Sequence, residues 1–265
     1  MLTIGDAKPA VHVHASTKSV LPGYECEAYG HRMGSSYHQF CPVAKAMELL
    51  DERWTLLVVR ELLLGSRHFN DIRRGVPKMS PSLLSKRLHD LARAGIVKRH
   101  DDGREVAYTL TPAGQELRPV VENLGAWGVR WIGQVGDEDL DPKVLMWDLH
   151  RRVDPALVPP ARTVVSFRFS DVPAKVRDWW LVITAEEVDV CDFDPGYDVA
   201  VSVTGTLRGM VQIWRGDLGW PAAIRSGSIQ LQGPEPVRRA VPTWFPPSQF
   251  AAVPRSAVDI TALAG

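Results

Sequence analysis

Hydrophobic positions in the first half of the chain recur at helical spacing. "CPVAKAMELLDERW" carries a proline at a helix start, "WTLLVVRELLLGS" is apolar enough for a central helix, and "HFNDIRRG" predicts a short helix that ends at Gly75. In "SPSLLSKRLHDLARAG", Ser80 can cap a helix, and Leu84, Leu88 and Leu91 follow at i, i+4 and i+7. This last stretch predicts an amphipathic helix with a basic outer face.

After this helix the pattern changes from helical to alternating. "IVKRHDDGREVAYTLT" alternates on both sides of Asp102 and Gly103, which predicts a β-hairpin. "TPAGQELRPVVENLGAWGVRWIG" returns to helical spacing. The order of helices, basic helix, hairpin and long helix is that of a winged helix-turn-helix.

The second half of the chain has the pattern of strands with interspersed helices. "RTVVSFRFSD", "RDWWLVITAEEVDVCD" and "YDVAVSVTGT" are rich in β-branched and aromatic residues, "TLRGMVQIWRG" is helical in its middle, and "SIQLQG" is a short strand. The predicted fold class is α+β, a winged helix-turn-helix domain followed by a small α+β domain. The predicted units are a flexible extension (1–40), the winged helix-turn-helix and dimerisation domain (41–136), a linker (137–161), the α+β domain (162–246) and a loose tail (247–265).

Composition limits the possible partners. Lys+Arg and Asp+Glu number 31 each, so any attraction for nucleic acid must be local. The three cysteines, Cys26, Cys41 and Cys191, are far apart and odd in number, so we expect a reducing, cytoplasmic location. No apolar run approaches the roughly 20 residues of a membrane span, so no membrane partner is expected. Translation could start at Met1 or at Met33. Met33 is a candidate because helical patterning begins only after it.

The outer face of the basic helix and the hairpin carry the candidate DNA contacts. A recognition helix needs an apolar stripe for anchoring and small polar or basic side chains opposite it for phosphates and base edges. Taken alone, the helix could equally have an ordinary solvated basic face, but the short helix before it and the hairpin after it favour DNA binding. The candidate residues are Ser80, Ser82, Ser85, Lys86, Arg87, His89, Arg93, Arg99 and Arg104.

The segment from Cys41 to about Trp131 resembles the HxlR-type transcriptional regulators, relatives of the MarR group. The likeness rests on the Cys-Pro opening, "ERWTLLVVREL", "RHFNDIRRGVP", "SPSLLSKRLHDLARAGIVKR", "YTLTPAG" and "AWGVRW". It implies a homodimeric repressor or activator on a pseudo-palindromic operator of double-stranded DNA, with the interface formed by Val43 to Leu50 and Leu117 to Trp131. The alternative is that this apolar stripe packs within one subunit.

The same resemblance implies a role for Cys41. Some family members sense oxidants or electrophiles through a cysteine at the Cys-Pro position, and a helix N-terminus favours the thiolate. The alternative is a partly buried cysteine without a role.

The last third of the chain resembles the end of a sterol-carrier-protein-like domain. The matching pieces are "DVAVSVTG", "MVQIWRGDL", "AAIRSGSIQLQGP" and "VRRAVPTWF", whereas the upstream strands do not match well. The resemblance implies an apolar tunnel for a lipid-like molecule; the alternative is that the aromatic residues only fill a core. The candidate ligand-binding residues are Trp180, Val203, Met210, Ile213, Trp214 and Ile224.

These observations favour a dimeric DNA-binding transcriptional regulator controlled by a hydrophobic small molecule. The rival is a lipid-binding or carrier protein whose winged helix makes protein contacts. No catalytic constellation emerges, so we expect neither an enzyme nor a cofactor or metal site.

Overall fold

The computed structural model describes residues 36–133 and 135–256, so most of the predicted extension, both candidate starts and Cys26 lie outside the described residues. The helices are α1 (Pro42–Leu50), α2 (Thr55–Leu63), α3 (Phe69–Gly75), α4 (Pro81–Arg93), α5 (Pro112–Gln115), α6 (Arg118–Trp131), α7 (Pro142–His150), α8 (Leu207–Arg215), α9 (Trp220–Arg225) and α10 (Glu235–Trp244). The strands are β1 (Val97–Asp101), β2 (Val106–Leu110), β3 (Thr163–Phe169), β4 (Asp178–Ile183), β5 (Val188–Cys191), β6 (Val201–Gly205) and β7 (Ile229–Gln232).

Helix α2 is the centre of the N-terminal core. Its buried Val58 and Leu62 belong to the same apolar cluster as Leu84 and Leu88 of α4. Helix α4 begins where the sequence predicts, because Ser80 Oγ accepts the Leu83 N–H at 3.3 Å and satisfies a donor that has no partner within the helix. The leucine stripe therefore fixes α4 on α2 and leaves the other side of α4 outward.

The predicted hairpin is present as the antiparallel pair β1 and β2. Asp102 Oδ1 accepts the N–H groups of Arg104 at 2.9 Å and Glu105 at 2.8 Å. Gly103 has a φ of +81°, a conformation that costs glycine little and other residues more. The turn is therefore held by local hydrogen bonds, and the hairpin projects beside α4.

The C-terminal sheet has the strand order β5-β4-β3-β6-β7, with β3 and β6 parallel and the other neighbours antiparallel. On β3, Val165, Phe167 and Phe169 are buried in the core beneath the helices, whereas Arg168 is exposed on the opposite face. This alternation follows from the two-residue period of a strand. The main C-terminal core therefore lies between one side of the sheet and helices α7 to α10.

Helix α7 lies inside the segment predicted as a linker, and it packs in two directions. Its Leu145, Met146 and Leu149 are buried in the C-terminal core. On its other side it packs against α3, and the Arg74 guanidinium lies 5.1 Å from the centre of a Trp147 ring. Helix α7 therefore joins the two cores.

The first part of the predicted loose tail, residues 247–256, contacts both halves of the chain. The Ser248 N–H donates to the Trp214 carbonyl oxygen at 2.6 Å. The Phe250 ring lies so close to Gly125 of α6 that a Cβ at Gly125 would stand 2.3 Å from it. The absence of a side chain at Gly125 therefore lets this segment lie against α6.

A buried carboxylate fastens α2 to both α3 and α7. Glu61 is fully buried, and its Oε1 accepts from Arg60 Nη2 at 2.7 Å while its Oε2 accepts from Arg151 Nη2 at 2.9 Å. Arg60 Nη2 also donates to the Gly75 carbonyl at 3.0 Å. A Cβ at Gly75 would lie 2.0 Å from the Glu61 carboxyl, so only glycine fits there. We call this arrangement of Glu61, Arg60 and Arg151 the Glu61 clamp.

Replacing Glu61→Gln should lower the free energy of unfolding by about 3 kcal/mol, because the two partly buried guanidinium groups of Arg60 and Arg151 lose their buried negative partner. Urea unfolding measures the change. Glu122→Gln is the control, because its carboxylate is half-exposed and 3.9 Å from Arg118, and a change within about 0.5 kcal/mol is expected there. Equal urea midpoints for Glu61→Gln and wild type would contradict the assigned role.

Candidate nucleic-acid interface

Helix α4 presents a polar row on the side away from its leucines. Ser82, Ser85, Lys86, His89 and Arg93 are all exposed, and their spacing places them on the outward face. Ser80 is exposed at the start of the same helix, where its side chain is also engaged as the cap. Small hydroxyl groups and basic groups thus lie together on one accessible helix surface.

Arg87 corrects one sequence-based expectation, because it does not belong to this row. It is only 4% exposed, its Nη2 donates to Glu52 Oε2 at 3.0 Å, and its Nη1 lies 3.8 Å from Asp90 Oδ2. Since Arg87 is three residues after Leu84 and four before Leu91, it falls on the inner edge of α4. Its guanidinium ties α4 to the connection between α1 and α2.

The hairpin carries cations next to the helix row. Arg99 Nη2 pairs with Asp101 Oδ2 at 2.6 Å, and both groups are exposed. The pKa of Asp101 is lowered by a hydrogen bond from the Gly103 N–H and by Arg99, so the pair is ionised at neutral pH. Arg104 is exposed at the tip of the hairpin.

Several cations of this surface have no acidic partner. Lys86 Nζ lies 2.7 Å from Asp90 Oδ2, so one helix cation is paired within α4. Within residues 36–133 and 135–256, the side chains of Arg93, Lys98 and Arg104 form no ion pair. The surface is therefore locally basic in a chain with no net charge, which suits phosphate contact.

Cys41 directly precedes α1, as the sequence predicts. The backbone N–H groups of Ala44 and, to a lesser degree, Val43 at the start of α1 lower the pKa of the Cys41 thiol. Burial instead raises the pKa of Cys191. Of these two cysteines, Cys41 is the one whose surroundings favour the thiolate.

An apolar stripe is exposed on α1 and α6. Val43 is 69% exposed, Trp127 is 50% exposed, and Met47, Val120 and Leu124 are exposed as well. Leu117 and Val121 of the same region instead pack against the N-terminal core. The outward part of the stripe is thus not used within the described subunit.

The residues proposed for an apolar tunnel do not meet around one space. Val203, Met210 and Ile213 are packed in the C-terminal core, with at most 3% exposure. Trp180 lies on the opposite face of the sheet, since it pairs with Ser166 rather than with the inward Phe167, and Ile224 is 41% exposed. Trp214 alone of the six lines the cavity between α2, α6, α7 and α8.

Two further properties concern the described residues only. In the part of the chain that the structure covers, no helix is long and apolar enough to cross a bilayer. Within the same residues, no group of three or more His, Cys, Asp or Glu side chains is arranged to hold a metal ion.

Comparison with known proteins matches the HxlR-like helix-turn-helix family to residues 49–135. The uncharacterised HTH-type transcriptional regulator YvaP of Bacillus subtilis is 36% identical over 98 residues, which are 36% of this chain and 91% of YvaP. The uncharacterised HTH-type regulator sll1512 of Synechocystis is 34% identical over 97 residues, which are 36% of this chain and 72% of sll1512. The crystal structure of reduced YodB, a B. subtilis transcriptional regulator, aligns with 34% of this chain and 92% of YodB at 33% identity and a TM-score of 0.31. Through residues 49–135, the chain belongs to the HxlR-like family of helix-turn-helix transcriptional regulators.

Proposed function

We propose that this regulator reads its operator with the outward row of α4 and contacts phosphates with the hairpin. The observation that carries the proposal is the exposed row Ser82, Ser85, Lys86, His89 and Arg93 opposite the buried leucines of α4. A helix of this kind fits the major groove, and a basic hairpin beside it reaches the adjacent backbone. Arg87 is excluded from the contact set because its guanidinium is buried against Glu52.

Lys86→Ala and Arg104→Ala should each weaken binding of the duplex upstream of the protein's own gene by about tenfold. Each change removes a phosphate-binding cation, so the salt dependence of log Kd should also become shallower by about 1. Fluorescence anisotropy over a salt series measures both quantities. The control is Lys175→Ala, an exposed lysine in the C-terminal half that should leave affinity unchanged.

Two results would count against this interface. If both variants bind as tightly as wild type, Lys86 and Arg104 do not contact DNA. If wild-type protein does not retard the duplex even at low salt, where phosphate contacts are strongest, the carrier-protein alternative is favoured.

We also propose a homodimer formed through the apolar stripe of α1 and α6. An exposed stripe of this kind is a recognised feature of protein interfaces. A twofold dimer would present two α4 helices to half-sites about one helical turn apart, which agrees with a pseudo-palindromic operator.

Trp127→Glu should convert a dimer into a monomer, because it places a charge in the centre of the apolar stripe. Size-exclusion chromatography with light scattering measures the mass. Phe193→Glu is the matched control, since Phe193 is an aromatic residue that is 66% exposed on a loop of the C-terminal half. A Trp127→Glu protein with the same mass as wild type would remove α6 from the interface.

We propose further that residues 162–246 form a sterol-carrier-protein-like domain that responds to a hydrophobic small molecule. Support comes from the element order β6, α8, α9, β7, α10, which is the order of the matching sequence pieces. Such a ligand regulates DNA binding only if it prefers one of two conformations of the protein.

We propose separately that Cys41 senses oxidants, which is favoured by the lowered pKa of its thiol at the start of α1. Hydrogen peroxide would oxidise the thiolate to a sulfenic acid and be reduced to water. Peroxide should therefore lower the DNA affinity of wild type and of the control Cys191→Ser, but not that of Cys41→Ser. Anisotropy before and after treatment tests this, and equal loss of affinity in Cys41→Ser and wild type would exclude Cys41 as the sensor.

A further inference from the structure

A cavity of about 330 Å³ lies between the winged helix and the C-terminal half. One wall is formed by α2 and α6, where Leu56, Leu63 and Val121 are lining residues. The facing wall comes from α7, α8 and the segment after α10, and it includes Trp214 and Phe250. The cavity is therefore largely apolar, is lined by both halves of the chain and is partly open to solvent.

Two buried donors on the lining side chains have no partner. Within the described part of the chain, neither Arg152 Nε nor Trp214 Nε1 has a hydrogen-bond acceptor, although both atoms are shielded from solvent. Arg152 makes one long hydrogen bond, from Nη1 to the Pro247 carbonyl at 3.4 Å. A buried donor without an acceptor costs free energy. An acceptor from a bound molecule would therefore stabilise Arg152 Nε and Trp214 Nε1.

The charges on the cavity wall favour an anion. Of the other lining arginines, Arg60 is held by Glu61, and Arg118 donates to the Leu63 carbonyl and lies 3.9 Å from Glu122. Asp148 also lines the cavity, and its Oδ1 lies 3.4 Å from Arg151 Nε, so its charge is paired with an arginine outside the lining. Of the three lining arginines, Arg152 is thus the one that forms no ion pair among the described residues.

We propose that this cavity binds a small hydrophobic carboxylate, whose oxygens accept from Arg152 Nε and Trp214 Nε1 while its apolar part lies against the leucines of α2. The volume is at the lower end of the range for ligand pockets, which fits a compact molecule rather than a long lipid. The site lies at the domain junction and not at the sheet residues that the sequence indicates. The regulatory consequence rests on the proposed function, because only a DNA-binding protein converts occupancy into a change of operator affinity.

Isothermal titration calorimetry with 4-phenylbutyrate and its uncharged analogue 4-phenylbutanamide tests the site on the full-length protein. Wild type should bind the acid about tenfold more tightly than the amide, because charge-assisted hydrogen bonds exceed neutral ones. Arg152→Gln should remove this preference. Trp214→Phe, which keeps the aromatic character of the wall but lacks the N–H, should weaken binding of the acid by about tenfold.

Controls separate loss of the ligand site from loss of the fold. Arg168→Gln changes an exposed arginine on the far face of the sheet and should bind the acid as wild type does. Thermal unfolding of Trp214→Phe should remain cooperative with only a modestly lower midpoint, since the deleted N–H has no partner to lose and only the smaller ring reduces packing against the core. Absence of acid binding by wild type, equal binding of acid and amide, or unchanged acid binding in both variants would overturn the assignment.

The same samples distinguish this inference from the proposed function. Anisotropy with the upstream duplex, with and without saturating 4-phenylbutyrate, should show at least a threefold change in Kd. Acid binding without any DNA binding would retain the site and reject the regulator. Acid binding with an unchanged duplex Kd would reject the coupling between the two.

Discussion

The arrangement of this protein depends on the carboxylate of Glu61. It is buried at the point where α2, α3 and α7 meet, and it carries hydrogen bonds from Arg60 of the winged helix and Arg151 at the end of α7. A buried charge is tolerated only when its partners are in place. The Glu61 carboxylate therefore connects the two halves of the chain by hydrogen bonds from an arginine of each half.

Helix α2 transmits this constraint to both functional surfaces. On one side its apolar residues support α4 and on the other they form a wall of the junction cavity, next to α6. A displacement of α2 would thus change the position of α4 directly, because the two helices pack against each other. This packing connects the cavity to the outward row of α4 through a single helix.

Local signals in the sequence predict the helix start at Ser80, the leucine stripe and the Asp102-Gly103 turn, because each depends on residues within one turn or hairpin. The burial of Arg87 is not predictable in this way, since its partner Glu52 is 35 residues distant. The cavity is assembled from α2, α6, α7, α8 and the segment after α10, so no periodic pattern could reveal it. The segment around α7 predicts a short helix within the linker 137–161, but its pattern does not show that the helix packs against both cores, because the partners lie far away in the sequence.

Arg151 and Arg152 connect the clamp and the cavity most directly. They are consecutive residues at the end of α7, one bound to Glu61 and the other lining the cavity. Burial lowers the pKa of Arg152, Asp148 opposes this effect, and the charge of Arg151 lowers the pKa further, so the two neighbouring guanidinium groups repel each other. A carboxylate on Arg152 would offset that repulsion and so favour the conformation in which Arg151 remains on Glu61. A ligand shifts the equilibrium between two conformations of the protein only by the difference in its affinity for them. If the conformation with Arg151 bound to Glu61 is the one that fits the operator, the ligand strengthens DNA binding, and if it is not, the ligand weakens it.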